Sequence, residues 1–264
     1  MPAVDVAHVV SGPSDAARPA VYLAHGIGSR KTGWEGVVAA MADRFTCVAY
    51  DQRGHGESPV PPVPYSLDEL VDDLEALRAK LGHERIHVVG HSLGGQIGPA
   101  YARAFPKRTA SVSLLSTAAF RTAEDSGKVK GVVNAIREKG AANILPTLVD
   151  RWFTEEFAAA NPAAIEARLQ QVLDTPEDVF TSVFDIYAST EMGSWLPQVS
   201  APCLVLTGEN DGGCNPRLNR LIDAALPDSR LVILPVLKHS ILIEAAEVVA
   251  RHVAEFIEGV EAAS

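Results

Sequence analysis

The ten residues from Ile86 to Gly95, Ile-His-Val-Val-Gly-His-Ser-Leu-Gly-Gly, restrict this chain more than any other stretch. A β-rich apolar run, Ile86 to Val89, meets Gly90-His91-Ser92-Leu93-Gly94, and a helix-compatible segment from Gln96 to Phe105 follows. The order is strand, sharp turn, helix, with a serine at the turn. Gly-x-Ser-x-Gly in that setting is the pattern of a nucleophile elbow, which holds its serine in a strained backbone conformation. Gly90 and Gly94 lack a Cβ, so strand and helix can approach closely around Ser92. The hydroxyl then stands clear of the sheet. The Leu93 amide falls at a helix N-terminus, where N–H donors point outward. The plainer alternative is a glycine-rich turn with an incidental serine, and the rest of the chain argues against it.

A chain of 264 residues is long enough for one sizeable α/β domain, with or without an insertion. Hydrophobic residues make up 47%, which allows a large core and excludes a disordered chain. The formal charge of -10 and the lack of a basic stripe exclude nucleic acid as the main partner. No charged-then-apolar leader and no bilayer-length apolar run is present, so a cytoplasmic protein with no membrane partner is expected. Cys47, Cys203 and Cys214 are scattered, with no Cys-x-x-Cys pair. That spacing indicates neither a zinc site nor a disulfide framework and fits a reduced compartment.

Around the elbow, the chain alternates strand and helix signals. Residues 3–10 read as a loose edge strand, and Val21 to Ala24, Thr46 to Tyr50 and Val112 to Leu115 as buried strands. Ser66-Leu67-Asp68-Glu69 is a capping box for a helix that Gly82 ends. From about Phe120 to Leu196 only helical patterns appear, for example Val129 to Lys139, Ile144 to Phe153, Pro162 to Leu173 and Glu177 to Thr190. Strand runs resume at Cys203 to Leu206 and Leu231 to Leu234, with a helix from near Pro216 between them and a final helix after them. Such alternation predicts a mostly parallel sheet with helices on both faces. Residues 1–119 and 197–264 form the core on this reading, and 120–196 form a helical cap over the C-terminal strand edge, where ligands of open α/β sheets bind.

A serine hydroxyl needs a base within hydrogen-bond reach, and the base needs a third group to orient it and stabilise its charged form. In an elbow-containing sheet the partners follow the serine in the order acid, then histidine. Only His239 and His252 follow Ser92, and His252 sits in the last helix. His239 lies in a loop after a strand, at the expected edge, and is the candidate base. Asp211, just after the strand 203–206, is the candidate acid, with Glu209 as its rival. The amides of Leu93 and Ile27 are the candidate donors to an oxyanion, Ile27 because Gly26 and Gly28 let its backbone turn inward. His25 reads as a structural residue, and Asp51 and Arg53 as partners that tie their own loop.

Taken together, His25-Gly26, Asp51-Gln52-Arg53-Gly54-His55-Gly56-Glu57-Ser58, Gly90 to Gly95, Asp211 and His239 resemble the α/β-hydrolase superfamily over nearly the whole chain. The resemblance implies an α/β-hydrolase fold with an eight-stranded sheet and a helical cap inserted before the last strands. It carries the nucleophile onto Ser92, the acid onto Asp211 and the base onto His239. Arg151-Trp152-Phe153-Thr154-x-x-Phe157, with Pro162 following, is similar to 3-oxoadipate enol-lactonases, and this likeness implies that Trp152 faces the pocket. The chain departs from that pattern at Lys238, where a small residue is usual, at Gly212-Gly213-Cys214 after the acid, and at His91, a polar neighbour of the nucleophile that could touch substrate.

The expected activity is therefore hydrolysis of a small carboxylic ester or lactone through an acyl-enzyme, with no cofactor and no metal. An amidase, a C–C bond hydrolase or a cofactor-free haloperoxidase-like enzyme would use the same residues. A non-enzymatic ligand-binding module is disfavoured because all three members of the relay are present. The identities of the acyl and leaving groups, and any homo-oligomer, stay open at this level.

Overall fold

Four of the strands are buried along their whole length, and the alternation of their side chains shows why the sheet must be covered twice. On the strand Ala20–Ala24, Tyr22 and Ala24 enter one apolar cluster while Val21 and Leu23 enter another. Successive residues of a strand point to opposite faces, so an unbroken apolar run has to be packed on both. The first cluster holds Leu70, Leu74, Leu77, Ile97 and Tyr101 from two helices. The second holds Trp34, Val37 and Met41 together with Val249, Val253 and Ile257 of the last helix.

The structure is a computed structural model and describes residues 1–13 and 18–263. Its strands are β1 (His8–Ser11), β2 (Ala20–Ala24), β3 (Thr46–Tyr50), β4 (Ile86–His91), β5 (Thr109–Leu115), β6 (Cys203–Gly208) and β7 (Ser229–Leu234). They form one sheet in the order β1-β3-β2-β4-β5-β6-β7. β1 pairs antiparallel with β3, and every other pair is parallel. From β2 the chain goes to β3 on one side and then crosses back to β4 on the other. The crevice beyond the C-terminal ends of β2 and β4 is thus the point where the strand order reverses, the usual ligand position in such sheets.

Seven strands are present among the described residues, against the eight implied by the resemblance. The edge strand expected over 3–10 shrinks to His8–Ser11. Its first half is held by side chains instead of a ladder. The Val4 N–H donates to Asp73 Oδ1 at 2.8 Å, the Ala7 N–H donates to Ser58 Oγ at 2.9 Å, and Pro2 has no N–H to offer.

The helix Leu67–Leu81 begins where the capping box predicts, with the Ser66 N–H donating to Glu69 Oε2 at 2.7 Å. It ends at Gly82 in the left-handed region, φ +75°. Between β5 and β6 the described chain is helical, through Ala123–Lys139, Pro162–Leu173 and Glu177–Ser189 among others. The helix expected over 144–153 is broken into Ala141–Ile144, a 3-10 turn Leu145–Leu148 and Val149–Trp152. Pro146 sits in the turn and removes the backbone donor that a continuous helix would need. Among the described residues no helix is long and apolar enough to cross a membrane.

Candidate active site

Ser92 closes β4 with φ +56°, a conformation that L-residues other than glycine rarely adopt. Such strain costs on the order of 1–3 kcal/mol and persists only where surroundings enforce it. Here the Ser92 N–H donates to Leu115 O at 2.9 Å, and its carbonyl accepts from Thr117 Oγ1 at 2.9 Å and from the Gly95 N–H at 3.0 Å. The two flanking glycines are obligatory. A Cβ on Gly90 would lie 1.9 Å from Gly94 O, and one on Gly94 would lie 2.0 Å from Ala24 O.

Asp211 and His239 arrive at the same edge from the loops after β6 and β7. The two loops are stitched together, with the Glu209 N–H donating to Leu234 O and the Asn210 N–H to Leu237 O, both at 2.8 Å. Asp211 is 2% exposed. Its Oδ1 accepts the N–H groups of Gly213 and Cys214 at 3.0 and 2.8 Å, and its Oδ2 lies 2.7 Å from His239 Nδ1. Burial alone would raise the Asp211 pKa. The His239 charge, its hydrogen bond and the two amides outweigh that and hold the carboxyl below its ordinary value. Burial would likewise pull His239 down, and the Asp211 carboxylate reverses the sign and holds the imidazole above the ordinary histidine value. The rival acid, Glu209, turns away and accepts the Val236 N–H at 3.0 Å.

The Ser92 hydroxyl has no hydrogen-bond partner among the described residues, so of the three candidate residues only Asp211 and His239 are joined by a hydrogen bond. His91 connects the two halves. Its Nε2 donates to His239 O at 3.0 Å, and the two rings lie 4.9 Å apart. Burial, then the neighbouring His239, pulls the His91 pKa down to about 3, so it is a neutral donor. Leu93 is fully buried at the start of the helix Gly94–Ala104, and Ile27 lies in the loop after β2. Neither amide N–H has a hydrogen-bond partner among the described residues.

His25 and His55 hold the Ile27 loop. The Gln52 N–H donates to His25 Nε2 at 3.0 Å and the Gly28 N–H to His55 Nε2 at 3.2 Å. Each ring therefore carries its proton on Nδ1, which donates to Gly26 O and Arg53 O. Asp51 and Arg53 have separate partners and do not pair with each other. Asp51 binds Lys31 Nζ at 2.7 Å, and Arg53 forms a buried bidentate pair with Asp73 at 2.6 and 2.7 Å.

Trp152 lies at the seam of the helical segment and the base loop, its carbonyl accepting the Ser240 N–H at 2.8 Å. Lys238 Nζ donates to Asp150 O at 2.6 Å beside it. Sequence reasoning missed Tyr187 and Arg168, and marked Cys214 only as part of a departure from the lactonase pattern. The Cys214 Sγ lies 3.0 Å from the Tyr187 hydroxyl, and one donor atom each of Asp211, Cys214 and His239 fall within 4.8 Å of one another. Those are the atoms among the described residues that could hold a cation, and they are already engaged as hydrogen-bond partners. Arg168 had a visible signal, a cation in the apolar stripe Ile165, Leu169, Val172.

The alpha/beta hydrolase fold family matches residues 19–246. A 3-oxoadipate enol-lactonase from Acinetobacter baylyi is 30% identical over 209 residues, covering 79% of this chain and 78% of that protein. The enol-lactonase from Burkholderia xenovorans LB400 superimposes with a TM-score of 0.88 at 25% identity over 96% of both chains. A malate-bound thermophilic esterase from Thermogutta terrifontis gives 0.87 at 27% identity, over 97% of this chain and 94% of that one. With the sheet, the elbow and these likenesses in hand, the chain belongs to the α/β-hydrolase family and is related to the enol-lactonases.

Proposed function

We propose that this chain is a serine hydrolase that cleaves a carboxylic ester or enol-lactone of a small molecule through an acyl-enzyme. The 2.7 Å contact of His239 Nδ1 with Asp211 Oδ2, at the sheet edge that also carries Ser92, is the observation that supports it most. In this reading residues 120–196 act as a lid, and Trp152 and His91 border the substrate. His239 takes the Ser92 proton as Oγ attacks the carbonyl, which first requires the serine and the imidazole to come within hydrogen-bond reach in the substrate complex. The Leu93 and Ile27 amides then hold the oxyanion, and each is worth on the order of 10²–10³ in rate. His239 returns the proton to the leaving alkoxide or enolate. Water attacks the acyl-enzyme by the same path. The relatives named enol-lactonase and esterase support this substrate class.

Replacing Ser92 with Ala should abolish turnover and labelling by a fluorophosphonate while the fold survives. Retained esterase activity in that variant would reject the assignment. A panel of p-nitrophenyl esters, lactones, amides and vinylogous diketones decides the substrate class. Turnover confined to amides or diketones would displace the ester reading.

A further inference from the structure

The helix Pro162–Leu173 presents Leu169 and Val172 to an apolar cluster that also contains Phe180, Ile27 and Trp152. Arg168 shares that face. Arg168 is half-buried there, and a charged side chain on such a face usually has a partner that compensates it. Among the described residues no carboxylate pairs with it. Its Nη1 donates to Gly28 O at 2.6 Å and its Nη2 to Ile27 O at 3.0 Å. Its guanidinium lies 5.2 Å from the centre of the Trp152 ring, within cation–π range.

Those two carbonyls belong to the loop whose Ile27 N–H is read above as an oxyanion donor. The loop is gripped from the other side too, where the Gly28 N–H donates to His55 Nε2. Val172 and Phe180 press on it directly. A Cβ on Gly28, whose φ is +59°, would lie 3.1 Å from Val172 and 2.9 Å from Phe180. Two carbonyl acceptors alone would be served equally well by a neutral amide side chain. A full cation at the same place, lacking a counter-ion, has a use when negative charge develops nearby during the reaction. Burial pulls the Arg168 pKa to about 10, which still leaves it charged at neutral pH, and its field helps to depress His25, His55 and His91.

We propose that Arg168 is a positioning residue of the oxyanion hole, supplied by the helical segment: it clamps the Ile27 and Gly28 carbonyls so that the Ile27 N–H stays aimed, and its uncompensated charge favours the anion formed there. This rests on the reading of Ser92 as nucleophile and Ile27 as donor. The clamp joins the lid to the chemistry, because Trp152, stacked on Arg168, also holds the His239 loop through Ser240.

The test uses Arg168→Met, Arg168→Gln and Arg168→Lys with p-nitrophenyl acetate, a neutral ester that offers no anionic group of its own. Arg168→Met should lower kcat about 10- to 100-fold, a fraction of the loss of a whole donor, with KM within about twofold. Its affinity for a phenylboronic acid, which forms a tetrahedral adduct on the serine, should fall by a similar factor. Arg168→Lys should recover most of the loss, and Arg168→Gln, which restores donors without charge, only part of it. The milder pair keeps the test valid if the methionine variant does not fold. A kcat within threefold of the parent, or a loss that appears only in KM with boronate affinity unchanged, overturns the proposal. The underlying reading fails separately: unmodified protein that resists the fluorophosphonate, or activity that survives Ser92→Ala, removes the nucleophile itself.

Discussion

His91 donates from Nε2 to the backbone carbonyl of His239 at 3.0 Å. The residue before Ser92 thus anchors the loop that carries His239, the proposed base, and a shift of either element moves the other. A neutral imidazole suits the task, because a second cation here would oppose the imidazolium that His239 becomes in the proposed mechanism.

Replacing His91 with Ala should therefore misplace the base without removing it. We expect kcat to fall about 10- to 100-fold, the scale of a small misplacement of reacting groups, with little change in KM. Steady-state kinetics on a p-nitrophenyl ester checks this. An unchanged kcat would show that the loop holds its position without the contact.

Asp211→Asn tests the acid. The proposed base, His239, acts in its neutral form, so kcat/KM should rise with pH through its ionisation. The carboxylate holds that ionisation above the ordinary histidine value of about 6.5. Neutralising the carboxylate should move the rising limb toward lower pH and reduce the plateau by about 10⁴. A pH–rate profile on both proteins reads the shift. A limb that stays in place would mean another group raises the His239 pKa.

Asp73→Ala probes stability away from the chemistry. Arg53 and Asp73 are both buried, and removing the carboxylate leaves an uncompensated guanidinium. The loss should be about 3–5 kcal/mol in urea unfolding. Asp73 also accepts the Val4 N–H, so the first residues should exchange their amides faster in this variant. The folded fraction should retain its kcat.

Acid should destabilise the protein before its carboxylates titrate. Burial, the largest cause in each case, holds His25 and His91 at about 3 and His55 and His87 at about 4. Their unfolded pKa is about 6.5, so below that value the unfolded chain binds protons that the folded chain refuses. Stability should fall as the pH drops below 6.5, by at most about 1.4 kcal/mol per pH unit for each such ring. His239 acts in the opposite direction, its contribution complete below 6.5 and lost as pH climbs through its raised folded value. Denaturant midpoints from pH 8 to pH 4.5 test this, and a flat profile over pH 6.5 to 5 would refute it.

The alternation of short apolar strands with helices, the elbow and the order of Ser92, Asp211 and His239 were all legible in the linear chain. Each depends on local chemistry. Residues from Val21 to Ala24 pack on two faces because they are apolar at every position, and Gly90 and Gly94 are read directly as places where no Cβ fits. The expected helix over 144–153 went wrong for an equally local reason, since Pro146 interrupts a pattern whose apolar spacing looks continuous.

Partner choice was not legible in this way. Arg53 could pair with Asp51, two positions away, or with Asp73, twenty away, and both are equally visible carboxylates. Only the packing of the helix Leu67–Leu81 against the Arg53 loop decides for Asp73, leaving Lys31 to neutralise Asp51. The same holds for Arg168, Cys214 and Tyr187, which reach the site from segments 27 to 141 residues away from their partners. Apolar periodicity and turn residues act between near neighbours and survive in a one-dimensional string. Hydrogen bonds and ion pairs between distant segments are settled by which surfaces the sheet and its helices bring together, and that choice exists only once the chain has packed.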